Sequence, residues 1–179
     1  TSFLLSLYLQ VIQGRTPESA GGLLIISPIV MAVLAPAAGR LADRIRPDLL
    51  VAAGTALILC SVILGALLRA DSSSALVIAM LVFQGIGFAI FSGPNIAIVM
   101  ATVPAEERGL ASALSAEMRS IGMMVSMAFV TIVMSLRMGT AAVAERPDDY
   151  MTAMTTAFTA FSILAATGVL ISLLGRRDG

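Results

Sequence analysis

SSSALVIAMLVFQGIGFAIFSGPNIAIVMATVPA, residues 72 to 105, runs for 34 residues without one charged side chain. As a helix it would rise about 50 Å, more than the roughly 30 Å hydrocarbon core of a bilayer. A lipid bilayer is the solvent that suits so long an uninterrupted apolar surface. The segment is therefore read as a membrane-spanning helix, tilted or broken along its length.

Outward from it the pattern repeats. Ser19 to Gly39, Leu49 to Leu68 and Tyr150 to Gly175 carry no charge, and Leu110 to Leu136 carries only Glu117 and Arg119. Ser2 to Gln13 is apolar but shorter than the roughly 20 residues a span needs. It reads as a helix entered partway. Spans are expected at 2–13 (partial), 19–39, 49–68, 74–101, 110–136 and 150–175. The fold class is all-α integral membrane, a six-pass bundle with a truncated first helix. No charged leader precedes the apolar start at Thr1, so the expectation is a fragment of something longer and no signal peptide.

Composition agrees. The chain is 58% hydrophobic and 12% charged, with mean hydropathy +0.98. A typical soluble domain carries about 25% charged residues. These values exclude a cytosolic enzyme, a nucleic-acid binder and a disordered chain. Eleven acids balance eleven basic residues, all of them Arg, and there is no His. No basic patch invites nucleic acid, and histidine-based catalysis, metal ligation and pH switching are excluded. Cys60 is alone, so no internal disulfide or thiolate metal site is expected. It reads as a small buried apolar residue.

The connections carry capping chemistry. Thr16-Pro17-Glu18 supplies an N-cap, a proline at the first helical position and an acid in the first turn. Asp71-Ser72-Ser73, Pro104 with Glu106 and Glu107, and Asp148-Asp149 suit later helix starts. Connections two and four with the C-terminal tail hold six arginines, against four in connections one, three and five. The positive-inside rule then places connections two and four and the C-terminus in the cytoplasm.

Gly39-Arg40-Leu41-Ala42-Asp43-Arg44 joins the second and third passes. An acid among arginines can make charge-assisted bonds to a neighbouring helix end, and Gly39 permits a tight turn or a close approach. A solvated loop is the alternative. Pro104-Ala-Glu-Glu-Arg108-Gly109-Leu-Ala-Ser joins the fourth and fifth passes. Tyr8-Leu9-Gln10, with Gly14, Pro17 and Ala20-Gly21, opens the first connection.

These three stretches, at these places in a six-pass chain, resemble the major facilitator superfamily. The first is similar to its G-x-L-a-D-R loop signature and the second to its P-x-x-x-R-G-x-A-S junction. The combination looks most like the C-terminal six-helix half of a fourteen-helix drug:proton antiporter. The loop signature continues with Gly and further basic residues, where this chain has Arg46, Pro47 and Asp48. The resemblance implies two three-helix inverted repeats and an N-terminal half as partner. It implies alternating access and a bacterial inner (plasma) membrane location. No cofactor is implied, and a proton gradient would be the energy source. Gly39, Arg40, Asp43, Arg44, Pro104, Arg108 and Gly109 become the conformational loop residues, with Asp43 a hinge residue and not the proton carrier. The third and sixth passes are expected outside, and the first, second, fourth and fifth around a cavity.

Candidate cavity residues follow from faces. Arg119 lies about ten residues into the fifth span, roughly 15 Å deep at 1.5 Å per residue. A charge there costs on the order of 3 kcal/mol if it faces lipid, so it is expected to face the bundle or water. Ser112, Ser115, Arg119, Gly122 and Ser126 fall on one face, a stripe suited to close packing beside a polar cavity. Arg119 is read either as a substrate or gating contact or as a structural donor to helix-end carbonyls. Glu117 points about 200° away. It either snorkels to the interface or holds a proton. Gln84, Phe88, Phe91 and Asn95 share a face of the fourth span, an amphipathic wall for mixed ligands. Ordinary packing is the alternative. Gln10 adds an amide on the first span. Ser27-Pro28, Pro36 and Gly93-Pro94 are kink candidates. Met118, Met123, Met124, Met127 and Met134 crowd the fifth span, as soft packing or an adaptable site.

Three function classes remain. One is a proton-coupled exporter of small drug-like or amphipathic molecules. The second is a carrier of the same family for a sugar, organic acid or siderophore. The third is an intramembrane enzyme or a non-transporting structural module. The enzyme is disfavoured because no His, no G-x-S-x-G and no paired intramembrane acids occur.

Overall fold

A computed structural model of the chain describes the backbone of residues 1–139 and 142–174, with side chains as far as Ser172. The regular structure of the described residues is helical throughout. Helix α1 (Ser2–Leu7) continues into a π-helical turn (Tyr8–Ile12). Helices α2 (Pro17–Leu24) and α3 (Ile26–Ala42) form one interrupted rod. Then come α4 (Pro47–Ala66), α5 (Ser74–Ala101), a 3₁₀ turn (Ala105–Glu107), α6 (Arg108–Met138) and α7 (Pro147–Leu174). Five segments are long and apolar enough to cross a membrane, and Ser2–Ile12 is a shorter apolar helix. The chain is thus an all-α half-bundle of five full passes and one short one, as its charge pattern implies. Arg176 and Arg177, which entered the orientation argument, lie outside the described residues.

Local chemistry sets the helix ends. The Thr16 hydroxyl accepts from the Ser19 amide at 3.3 Å, with Pro17 at the first helical position. Pro28 has no N–H for the Leu24 carbonyl and its ring crowds that turn. The rod breaks there, with Ile25 as the joint between α2 and α3. Pro36 and Pro94 stay inside continuous helices. Ser73 takes the N-cap position of α5 without a capping bond. The neighbouring Ser72 hydroxyl instead accepts from the Arg69 amide at 2.8 Å and closes the turn. Gly14, at φ +63°, lets the chain leave the π-turn in a left-handed conformation.

Helix α5 is the spine, with α4 packed along one side and α3 along another. Helix α7 packs on α4 and on α6. Lipid tails are as apolar as leucine, so helices in a bilayer associate through close packing and internal hydrogen bonds. The α4–α5 crossing shows both. A methyl group at Gly54 would lie 2.9 Å from the Gly87 carbonyl, and one at Gly87 would lie 2.9 Å from the Gly54 carbonyl. The two backbones touch there because neither residue has a side chain. Further along the crossing, buried Ser61 donates to the Met80 carbonyl at 2.9 Å. A methyl at Gly65 would strike the Phe158 ring at 2.7 Å, so α7 nests on the same stripe.

The buried core gathers at one end of the bundle. Tyr8, Leu68, Val77, Met80, Met154 and Phe158 meet there. The Tyr150 hydroxyl donates to the Leu4 carbonyl and ties α7 to α1. A polar clasp lies over this core. Tyr8 donates to the Arg69 carbonyl at 2.6 Å, and Gln13 Nε2 donates to the Tyr8 oxygen at 3.0 Å and to the Ser72 carbonyl at 2.9 Å. Arg15 Nε donates to Gln13 Oε1 at 3.0 Å, while its Nη2 reaches the Ser74 hydroxyl. The first and third connections are thereby pinned together.

Three expectations are corrected. Cys60 is exposed, because α4 turns its glycine stripe inward and Cys60 faces away. Gly39 supports no close approach, since a methyl there would meet nothing within 4 Å. At Gly122 the small-residue stripe of α6 has no helix packed on it among the described residues. A methyl at Gly122 would also meet nothing within 4 Å. The reason is how α6 is anchored. Val130, Val133 and Met138 are buried in its C-terminal half, and Phe129 meets Phe161 of α7 edge-on at 5.7 Å. In the N-terminal half Ala111 alone is buried, so that half stands off α5.

Candidate ligand-binding site

The gap left by α6 is a cavity of about 720 Å³. From α5 it is lined by Phe88, Phe91, Ser92 and Asn95, with Ile96 and Val99 below them. Helix α6 contributes Leu114, Ser115, Met118 and Arg119, and α3 contributes Met31. Val103, in the α5–α6 connection, marks the end near the fourth connection. The α5 contribution follows from helical geometry. Phe88, Phe91 and Asn95 are spaced by three and four residues, which stacks them on one face. Opposite them, Ser115 and Arg119 are also one turn apart.

The wall is mainly aromatic and aliphatic, with three unsaturated polar groups. Ser115 Oγ is already committed, donating to the Ala111 carbonyl at 2.8 Å. The side chains of Ser92, Asn95 and Arg119 make no hydrogen bond within the described residues. Arg119 therefore does not bond carbonyls freed near Pro94 in this arrangement. No acidic side chain lines the cavity among the described residues.

Several candidates fall elsewhere. Gln84 is on the α5 face that carries Asn95 but eleven residues earlier, about 16 Å up the helix, and lies beyond the lining. Glu117 is exposed and outside the cavity, turned away by the two residues that separate it from Arg119. Gln10 donates to the Ser6 hydroxyl at 2.8 Å on α1. No residue of α1 or its π-turn lines the cavity, contrary to the expected ring of four passes. That pass is short and sits in the closed end. Helices α4 and α7 do not line it either. Sequence reasoning missed Met31, Ile96, Val99 and Leu114, whose ordinary apolar character gives no signal.

The loop motifs sit beside the open end. Asp43 is the C-cap of α3, exposed and without a side-chain partner among the described residues. Arg40 and Arg44 are likewise exposed, and Arg46 pairs with Asp48 at 3.2 Å. Pro104 leads into the 3₁₀ turn, and Arg108 and Gly109 begin α6, all exposed. These residues surround the end of the bundle where α3, α5 and α6 are not held together by a buried core.

A family model described as Major Facilitator Superfamily matches residues 1–178. The chain belongs to that superfamily. It is similar to the riboflavin transporter RibZ of Clostridioides difficile, 34% identical over 128 residues, or 72% of this chain and 28% of that protein. It is also similar to the multidrug resistance protein Stp of Mycobacterium tuberculosis, 33% identical over 131 residues, 72% of this chain and 24% of that protein. The multidrug efflux pump LfrA of Mycolicibacterium smegmatis is 28% identical over 126 residues, 70% of this chain and 25% of that protein. The chain matches about a quarter of the length of these relatives. Members of the superfamily are transporters rather than enzymes, and the chain is a multi-pass membrane segment of that superfamily.

Proposed function

We propose that the chain forms the C-terminal wall of the substrate cavity in a proton-coupled exporter of drug-like or other small amphipathic molecules. The observation that carries this reading is the cavity of about 720 Å³ with its aromatic face and three available polar groups. Ligand sites of roughly 300–1,000 Å³ are typically apolar with a few placed polar groups. The likeness to two multidrug proteins supports the drug-like substrate class. The transporter would work by alternating access, this half rocking against an N-terminal half around a midplane site. The closed end would face outward, and connections two and four and the C-terminus would face the cytoplasm of a bacterial cell. Energy would come from the proton gradient, through acids of the other half, with no cofactor. Arg40, Asp43 and Arg44 would act at the moving interface.

A second reading is a carrier of one planar aromatic solute. The 34% identity to a riboflavin transporter favours it, and the same pair of phenylalanines would serve. Full-length transporter in inverted membrane vesicles separates the two. The exporter reading predicts gradient-dependent accumulation of several unrelated aromatic amphiphiles, abolished by a protonophore. Accumulation of riboflavin alone would favour the second reading. Transport that persists after the gradient is collapsed would contradict proton coupling.

A further inference from the structure

We infer that Arg119 makes this cavity selective for aromatic ligands that carry an anionic group, over cations of the same size. The inference rests on the cavity being the substrate wall, and it names the substrate class.

Three features of the cavity lead there. Arg119 is the charged residue of the lining, and no carboxylate lines the cavity among the described residues. The nearest acid along its own helix, Glu117, is turned to the other side. A guanidinium stays protonated and offers five N–H donors in a planar fork that fits a carboxylate or sulfonate. Here that fork has no protein acceptor within the described residues.

The surroundings strengthen the preference. Phe88, Phe91, Leu114 and Met118 form the rest of the local wall. Once an occupied cavity excludes water, a lone cation among such side chains loses solvation that an anion's charge and lone pairs restore. A bound cation would add like-charge repulsion with the guanidinium. The two phenylalanines, one turn apart, supply the face for an aromatic body. Asn95, one turn further, adds a neutral donor and acceptor. The geometry thus separates an aromatic platform on α5 from a cationic fork on α6, which suits a ligand with an aromatic body and an anionic end.

The test uses two probes that share a fluorophore and differ in charge, dansylglycine (anionic) and dansylcadaverine (cationic). Both are titrated against the full-length transporter in lipid nanodiscs. The wild type should bind dansylglycine at least about tenfold more tightly, the usual size of one charge-assisted pair. Arg119→Gln should bring the two affinities together by weakening dansylglycine alone, and Arg119→Lys should keep part of the preference. If Arg119→Gln does not fold, the wild-type preference and Arg119→Lys decide. Equal weakening of both probes in Arg119→Gln would mean that Arg119 is paired with an acid of the other half, and would overturn the inference. A preference that survives in Arg119→Gln would overturn the assignment to this residue. Tighter binding of dansylcadaverine by the wild type would overturn anion selectivity and leave the exporter reading standing. Binding of neither probe would overturn both.

Discussion

The two ends of this half-bundle are built on different principles. At one end, α1, the end of α4, the start of α5 and the start of α7 close around Tyr8, Met80, Tyr150 and Phe158, each fully buried. Side-chain bonds between the first and third connections seal that end. At the other end, α6 lifts away from α5 and leaves about 720 Å³ unfilled. The same helix shows the contrast along its length. Its C-terminal half buries Val130, Val133 and Met138, while Leu110, Leu114 and Met118 near its start are each more than 50% exposed. A helix clamped at one end and bare at the other can lean without breaking its core. That arrangement suits a unit that opens at one face while the opposite face holds.

The comparison breaks first at glycine. Gly87→Ala places a methyl 2.7 Å from Ile58 and 2.9 Å from the Gly54 carbonyl, so the α4–α5 backbones must separate. Overpacking of this kind costs on the order of 3 kcal/mol. Thermal unfolding of full-length transporter in detergent should show a large drop for Gly87→Ala. Gly122→Ala, on the uncovered half of α6, should be neutral or slightly stabilising, since alanine gains up to about 1 kcal/mol over glycine inside a helix. Equal losses in both variants would mean that the open end is as tightly packed as the closed one.

A smaller effect tests the clasp. Tyr8→Phe removes the donor to Arg69 and the acceptor for Gln13 while keeping the ring. The expected loss is about 2 kcal/mol, for two hydrogen bonds at about 1 kcal/mol net each. Amide hydrogen exchange should rise in residues 69–74 and stay unchanged in 110–119. A rise in both segments would show that the ends are coupled rather than independent.

The sequence exposed the passes because lipid demands long charge-free runs, and 34 residues without charge leave little choice. It exposed Phe88, Phe91, Asn95 and Arg119 because helical period assigns a face. Period does not assign height or neighbours. Gln84 was on the correct face and about one turn beyond Phe88, where the lining ends, and Gln10 was on a pass that never reaches the cavity. The clasp was invisible because its partners lie 59 to 61 residues apart, with nothing in one chain to pair Tyr8 with Arg69 or Arg15 with Ser74. The glycine crossing left a weak trace in Gly54, Ser61 and Gly65, small residues spaced by seven and four on α4. That spacing marks a close-packed face, but only the fold shows that α5 and Phe158 occupy it. The small stripe on α6 looked equally suited to packing, and at Gly122 it meets no neighbour among the described residues.

Water accessibility at the two ends tests the central claim most directly. With Cys60→Ser as background, Asn95→Cys and Met154→Cys would be introduced separately into the full-length transporter. Each would be treated with a charged, membrane-impermeant thiol reagent in inverted vesicles, with and without a transported substrate. The account predicts that Asn95→Cys reacts and that substrate slows the reaction, while Met154→Cys, whose parent side chain is fully buried, stays unreactive. Reaction at Met154→Cys with none at Asn95→Cys would reverse the two ends. Reaction at Asn95→Cys that no transported substrate slows would remove the cavity from the transport path.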